Sequence, residues 1–142
     1  MITKGLMSSN TDEWATPKAL FKQLDDKYHF DIDVCATPEN AKCEKYYTKE
    51  EDGLSQEWQG RCFMNPPYGR EIPKWVAKAY ESVYRGGAEL VCCVVPSRTD
   101  TRWWHDYCMK GEITFIKGRL KFNDGDKPAP FPSAIVVFKR GE

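Results

Sequence analysis

Leu90 to Val95 is an unbroken apolar run, Leu-Val-Cys-Cys-Val-Val, stopped by Pro96. A strand with one wet face alternates polar and apolar residues, whereas six apolar residues in succession suit a central strand covered on both faces. Such a strand needs a layer above it and another below. Helix signals supply those layers. Thr16-Pro17 reads as a helix start, with Thr as cap and Pro at the first helical position, followed by Leu20, Phe21, Leu24 and Tyr28 on one face. Thr37-Pro38 repeats the start signal, Ile72–Arg85 is a helix ended by Gly86-Gly87, and Thr101–Lys110 is another ended by Gly111. Short strands are predicted at Phe30–Val34, Arg61–Asn65, Ile113–Ile116, Leu120–Phe122 and Ala134–Phe138, with a Pro-rich loop over 124–132. Helices alternating with buried strands predict an α/β class with a mostly parallel sheet.

The chain has 142 residues, 41% hydrophobic and 13% aromatic, enough for one packed domain and too apolar for a disordered chain. No apolar run approaches the roughly 20 residues of a membrane-spanning helix. Met1–Asn10 carries no apolar signal segment and is expected to be a frayed end to one domain over 11–142. A soluble, cytoplasmic protein is expected. Net charge is zero, but residues 1–60 carry 7 Lys and Arg against 12 Asp and Glu, while residues 61–142 carry 14 against 9. Neutrality excludes a passive basic coat for nucleic acid, yet the asymmetry permits a basic face. The six cysteines form no Cys-x-x-Cys pair and only two histidines could supplement them, so no metal site is expected.

Asn65-Pro66-Pro67-Tyr68 follows a predicted strand directly. Ligands of open α/β sheets bind beyond the carboxyl ends of the strands. The Asn65 side chain offers a carbonyl acceptor, and Pro66 offers a backbone carbonyl whose direction Pro67 restricts. Two converging acceptors can bind both hydrogens of one planar amino group, while Tyr68 can stack on the ring that carries it. An aromatic amine is a weak nucleophile because its lone pair is delocalised. Acceptors on its hydrogens stabilise the positive charge that grows on nitrogen during attack, without any ionised base. Read as structure alone, the tetrapeptide is a Pro-Pro turn with a packed tyrosine.

In order along the chain, Asp12–Pro17, Phe30–Ala36, Asp52-Gly53-Leu54, Asn65–Tyr68, Trp75, Pro96–Thr101, Gly118–Phe122 and Phe131-Pro132-Ser133 resemble the segments of phage-type DNA N6-adenine methyltransferases. The resemblance implies S-adenosyl-L-methionine as cofactor and a small Rossmann-like methyltransferase sandwich with an antiparallel strand pair near the C-terminus. It implies that Trp14, Thr16 and Pro17 form an N-terminal cofactor element, with the helix start receiving a carboxylate. Asp33, Cys35 and Ala36 fall where the family cradles the cofactor's amino-acid end, and Asp52 is similar to the acid that contacts the adenosine. Asp33 is read as an exposed acid at a strand end. Asp33–Pro38 contains no glycine, a departure from the broader methyltransferase pattern that also argues against a dinucleotide fold. On its own chemistry Cys35 reads as packing, since nothing suggests an activated thiol.

No stretch remains for a separate target-recognition domain, so DNA contacts are expected from loops at the strand ends. Arg98, Arg102 and Trp103 follow the central strand, and Arg119 and Lys121 lie further on; basic residues interleaved with aromatics suit phosphate contact and base stacking. One of Trp103 and Trp104 is expected in the core. The combined reading is methylation of adenine N6 in DNA by direct methyl transfer, with no metal and no covalent enzyme intermediate. Cytosine N4 and protein glutamine fit the same tetrapeptide, and a non-catalytic DNA-binding module fits the same fold.

Overall fold

The computed structural model describes residues 14–141. The N-terminal stretch expected to fray, and Asp12-Glu13 of the resemblance, lie outside the described residues. Five strands form one sheet in the order β1-β2-β3-β5-β4. They are β1 (Ile32–Asp33), β2 (Gly60–Met64), β3 (Ala88–Pro96), β4 (Glu112–Phe115) and β5 (Ser133–Lys139). The helices are α1 (Lys18–Tyr28), α2 (Ile72–Tyr84) and α3 (Arg102–Asp106).

β3 contains the apolar run and is the central strand, with every residue but Glu89 buried. Its neighbours differ in sense. β1–β2 and β2–β3 pair parallel, whereas β3–β5 and β4–β5 pair antiparallel. The expected antiparallel pair near the C-terminus is present, but the sheet is mixed rather than mostly parallel. The physical reason is the connection: no helix lies between β4 and β5 among the described residues, so the chain has no crossover with which to restore a parallel sense. β5 instead turns back and inserts between β3 and β4.

Helix α1 packs Phe21 edge-on against Phe63 of β2, with ring centroids 5.0 Å apart. Helix α2 buries Trp75, Val76, Ala79 and Val83 at the period expected of an amphipathic helix. Four local readings need correction. Thr16 does not cap α1: Pro17 holds the cap position, and the first helical N–H, that of Lys18, donates to the Asp124 side chain instead. Thr37-Pro38 starts no helix, because Thr37 and Asn40 close a turn on each other through the Thr37 hydroxyl (3.2 Å) and the Asn40 carboxamide (2.8 Å). The residues that follow offer no apolar face to hold a helix down. Leu120–Phe122 is not a strand; Phe122–Asp124 is a short 3-10 turn in which Asn123 (φ 61°) and Asp124 (φ 53°) adopt left-handed backbone. The helix expected over 101–110 is broken into α3 and a 3-10 turn at Cys108–Lys110. No helix of the described residues is long and apolar enough to cross a membrane.

Candidate active site

Because β1, β2 and β3 run parallel, Asp33, Met64 and Pro96 bring their carboxyl ends to one edge of the sheet. Asn65-Pro66-Pro67-Tyr68 leaves β2 directly onto that edge, where ligands of open α/β sheets bind.

The Asn65 amide is held in a single orientation. Its Nδ2 donates to the backbone carbonyl of Trp14 and, at 2.9 Å, to the Thr16 hydroxyl. A backbone carbonyl can only accept, so reversing the amide would lose that bond. Both hydrogens of the amide are therefore engaged. Oδ1 is left buried, with no hydrogen-bond partner among the described residues. Burying an acceptor without a partner costs on the order of 1–3 kcal/mol, so this oxygen calls for a hydrogen-bond donor. This explains why Thr16 is no helix cap: its hydroxyl is turned to Asn65 and the residue is 1% exposed.

A cavity of about 540 Å³ opens beside the amide, within the roughly 300–1,000 Å³ of small-molecule clefts. Trp14, Thr16, Asn65, Pro66 and Pro67 line it from the tetrapeptide side. Asp33, Cys35, Ala36 and Asp52 line it as well. Asp33 is not the exposed acid of the sequence reading. It is 3% exposed, because the segment at residues 42–47 folds over β1: Asp33 accepts from the backbone N–H of Lys42 at 3.0 Å and of Cys35 at 3.3 Å, and Tyr47 N–H donates to its carbonyl. Burial raises its carboxyl from 3.8 to about 6, against the lowering by those two N–H groups and the Lys42 charge. The acid is ionised at neutral pH and protonates under mild acid.

Sequence reasoning did not single out Asn40, Lys42, Glu71 or a role for Gly53 at this cavity. A Cβ on Gly53 would lie 2.3 Å from the Val34 carbonyl oxygen and 3.1 Å from the Trp75 ring. Gly53 thus lets its turn pack backbone to backbone against Val34, just past β1, at the cavity wall. The signal that could have found it was the position of Gly53 next to Asp52; Lys42 contributes mainly through its backbone N–H, for which side-chain chemistry gives no signal.

Pro17 and Tyr68 lie outside the cavity lining. Tyr68 is 4% exposed, and its hydroxyl donates to the Val94 carbonyl at 3.2 Å. Trp14 stacks over its ring at 6.5 Å, while Phe131 and Phe122 close in at 5.3 and 5.9 Å. Arg98 and Arg102 are exposed just beyond β3, and Arg119 and Lys121 are exposed in the connection from β4 to β5. Trp103 and Trp104 are both buried and pack edge-to-face at 5.9 Å. The core thus takes both tryptophans where one was expected, and Trp103 presents no open face. Burial also holds the Cys62, Cys92 and Cys108 thiols at about 12, which keeps them protonated and unreactive. Among the described residues, no group of three or more His, Cys, Asp or Glu could hold a metal ion.

Comparison with known proteins follows the same line. A family model described as DNA N-6-adenine-methyltransferase (Dam) matches residues 4–139. A "DNA N-6-adenine-methyltransferase" of Haemophilus phage HP1 (strain HP1c1) is 34% identical over 129 residues, covering 86% of this chain and 73% of the relative. A protein of the same name from Escherichia phage T1 is 26% identical over 158 residues, covering 92% of this chain; the match spans 65% of the T1 protein's length. "Putative methyltransferase YfdM" of Escherichia coli (strain K12) is 35% identical over 65 residues, 40% of this chain and 71% of that protein. With a family match across nearly its whole length, the chain belongs to the DNA N-6-adenine-methyltransferase (Dam) family.

Proposed function

We propose that residues 11–142 methylate N6 of adenine in DNA, with S-adenosyl-L-methionine as methyl donor. The observation that carries the reading is the Asn65 amide, whose donors are engaged within the chain while its buried Oδ1 is left for an outside donor. Oδ1 and the Pro66 carbonyl are the two acceptors for the hydrogens of the adenine amine. Their placement before the substrate arrives means that no reorganisation is needed as charge develops on nitrogen. After transfer the surplus proton of that nitrogen leaves to solvent. The base must leave the duplex stack to reach this site. Tyr68 is the stacking partner for the base, and Trp14 must swing from its ring to admit it.

The residues present fit the cofactor. A buried carboxylate at the polar end of a cavity of this size suits a ligand carrying an ammonium group, and Gly53 removes a side chain that would otherwise enter the wall. Asp33, Cys35 and Ala36 would hold its amino-acid end, Asp52 its adenosine, and Trp14 and Thr16 its carboxylate side, with Pro17 behind them outside the lining. When bound, the sulfonium supplies an electrophilic methyl group. Arg98, Arg102, Arg119 and Lys121 hold DNA phosphates, and Trp103, buried beside Arg102 in the chain, packs in the core. The reaction belongs to the cytoplasm in which the DNA lies.

Incubation of the protein with plasmid DNA and methyl-labelled cofactor, followed by mass spectrometry of the nucleosides, tests the reading. Labelled N6-methyladenine is expected. Labelled N4-methylcytosine would reassign the base, and label in protein alone would reassign the substrate. No transfer together with no binding of S-adenosylhomocysteine would leave only a binding module.

A further inference from the structure

The segment that orients Asn65 is itself held from one place. Trp14 and Thr16, the two partners of the Asn65 amide, flank Ala15. Ala15 is bonded twice to Asn123: its N–H donates to Asn123 Oδ1 at 2.9 Å, and its carbonyl accepts from the Asn123 N–H at 2.8 Å. The next residue adds a third bond, from Lys18 N–H to Asp124 Oδ1 at 3.1 Å. Asn123 and Asp124 reach this geometry in left-handed backbone, at φ 61° and 53°. For a side chain with a Cβ that conformation is unfavourable, and Asn and Asp tolerate it best. A strained turn retained at this point is explained by what it grips.

We infer that Asn123 is a positioning residue for catalysis: by clamping Ala15 it fixes the Trp14 carbonyl and the Thr16 hydroxyl, and so the direction of Asn65 Oδ1. Asn123 sits two residues beyond Lys121 in the connection from β4 to β5, whose closure is fixed by the Ala129 N–H bond to the Leu120 carbonyl at 2.8 Å. The same short segment therefore carries a proposed DNA contact and the clamp. Engagement of DNA by this connection bears on the orientation of the acceptor. The inference rests on the reading of Asn65 as acceptor of the target amine.

Asn123→Gly keeps the left-handed backbone and the Asn123 N–H bond while removing the side-chain acceptor. Asn123→Asp keeps an acceptor in the same place. Single-turnover methylation is expected to slow about fivefold in Asn123→Gly, the effect of one net hydrogen bond, and to recover in Asn123→Asp. In an Asn65→Ala background Asn123→Gly should slow the reaction no further, because the two residues act on one atom. The side-chain amide signal of Asn65 in a ¹⁵N–¹H spectrum, assigned by its loss in Asn65→Ala, should shift in Asn123→Gly and return towards its parental position in Asn123→Asp. An unmoved amide signal, or an equal slowing with and without Asn65, would overturn the positioning role. A parent protein that transfers no methyl group yet shows the amide shift would count against the proposed function and leave the positioning of the amide standing.

Discussion

Asn65 and Asp33 show how burial decides what a polar side chain can do. Asn65→Ala removes an acceptor that makes no bond within the chain among the described residues, together with two donors that do. Loss of one preorganised contact at a developing charge typically costs about 10²–10³ in rate. A merely structural Asn65 would show its effect in stability instead. Thermal melting and single-turnover methylation on one preparation separate these: the expected result is a folded protein with a rate reduced by that factor. Asp33 carries a pH signature. Its carboxyl is raised from 3.8 to about 6, so the folded state holds its proton more tightly than the unfolded chain. Its contribution to folding is full below pH 3.8 and is lost as pH rises through about 6. Ligand binding runs the other way, since the ionised form attracts an ammonium group. Calorimetry with S-adenosylhomocysteine should therefore show affinity falling as the buffer is taken below about pH 6. Asp33→Asn should bind more weakly at neutral pH and lose the dependence through pH 6. Asn is the better probe than Ala because it keeps one of the two acceptor oxygens, whereas Ala would leave both the Lys42 and the Cys35 N–H groups without one.

Among the elements, the tightest constraint is the 3-10 turn at Gly53–Ser55. Gly53→Ala places a methyl group 2.3 Å from the Val34 carbonyl oxygen, backbone against backbone, with the Trp75 ring on the other side. Overpacking of this kind costs about 1–3 kcal/mol, and the displaced wall should weaken S-adenosylhomocysteine binding as well. Gly118→Ala is the matched control: φ is +77° but nothing lies within 4 Å, so only backbone strain of about 1 kcal/mol is expected, with ligand binding unchanged. Chemical denaturation and calorimetry on both variants distinguish a steric wall from a general loss of stability. The same contrast shows what the sequence could and could not disclose. β3 and α2 were legible because an apolar run and a helical stripe are local patterns that burial on both faces or one face enforces. The placement of Asn65 at the open end of β2 was legible because the tetrapeptide follows the strand directly. The insertion of β5 beside β3 was not, since the strand reads the same in either direction. The turn at Thr37 imitated a helix start, because one capping residue serves both. The bond from Asn65 to Thr16 spans 49 positions, and the clamp from Asn123 to Ala15 spans 108. Neither leaves a periodic trace.

At the scale of the whole molecule, sheet order brings Arg98, Arg102, Arg119 and Lys121, all exposed, to one edge of the sheet. β4 and β3 both pair antiparallel with β5, so β4 ends at the same edge as β3. The Arg98–Arg102 turn and the connection bearing Arg119 and Lys121 therefore leave the sheet on the Asn65 side. Ion pairs fall elsewhere: Arg61 with Glu89 at 2.9 Å and Lys139 with Glu112 at 3.4 Å. Among the described residues no ion pair engages Arg98 or Arg102, so their charge is available to phosphate. Each phosphate neutralised on duplex DNA releases condensed counterions, and the logarithm of affinity falls with the logarithm of salt by about 0.9 per contact. Replacing Arg98 and Arg102 together by Ala should thus weaken DNA binding at low salt and flatten that slope by about 2, the value for two lost contacts. S-adenosylhomocysteine affinity should not change, because neither arginine lines the cavity. Fluorescence anisotropy of a labelled duplex across a salt series measures the slope. A slope equal to the parent's, with weaker binding at every salt, would mean that the arginines act through the fold of the turn rather than through phosphate, and would move the DNA surface towards Arg119 and Lys121.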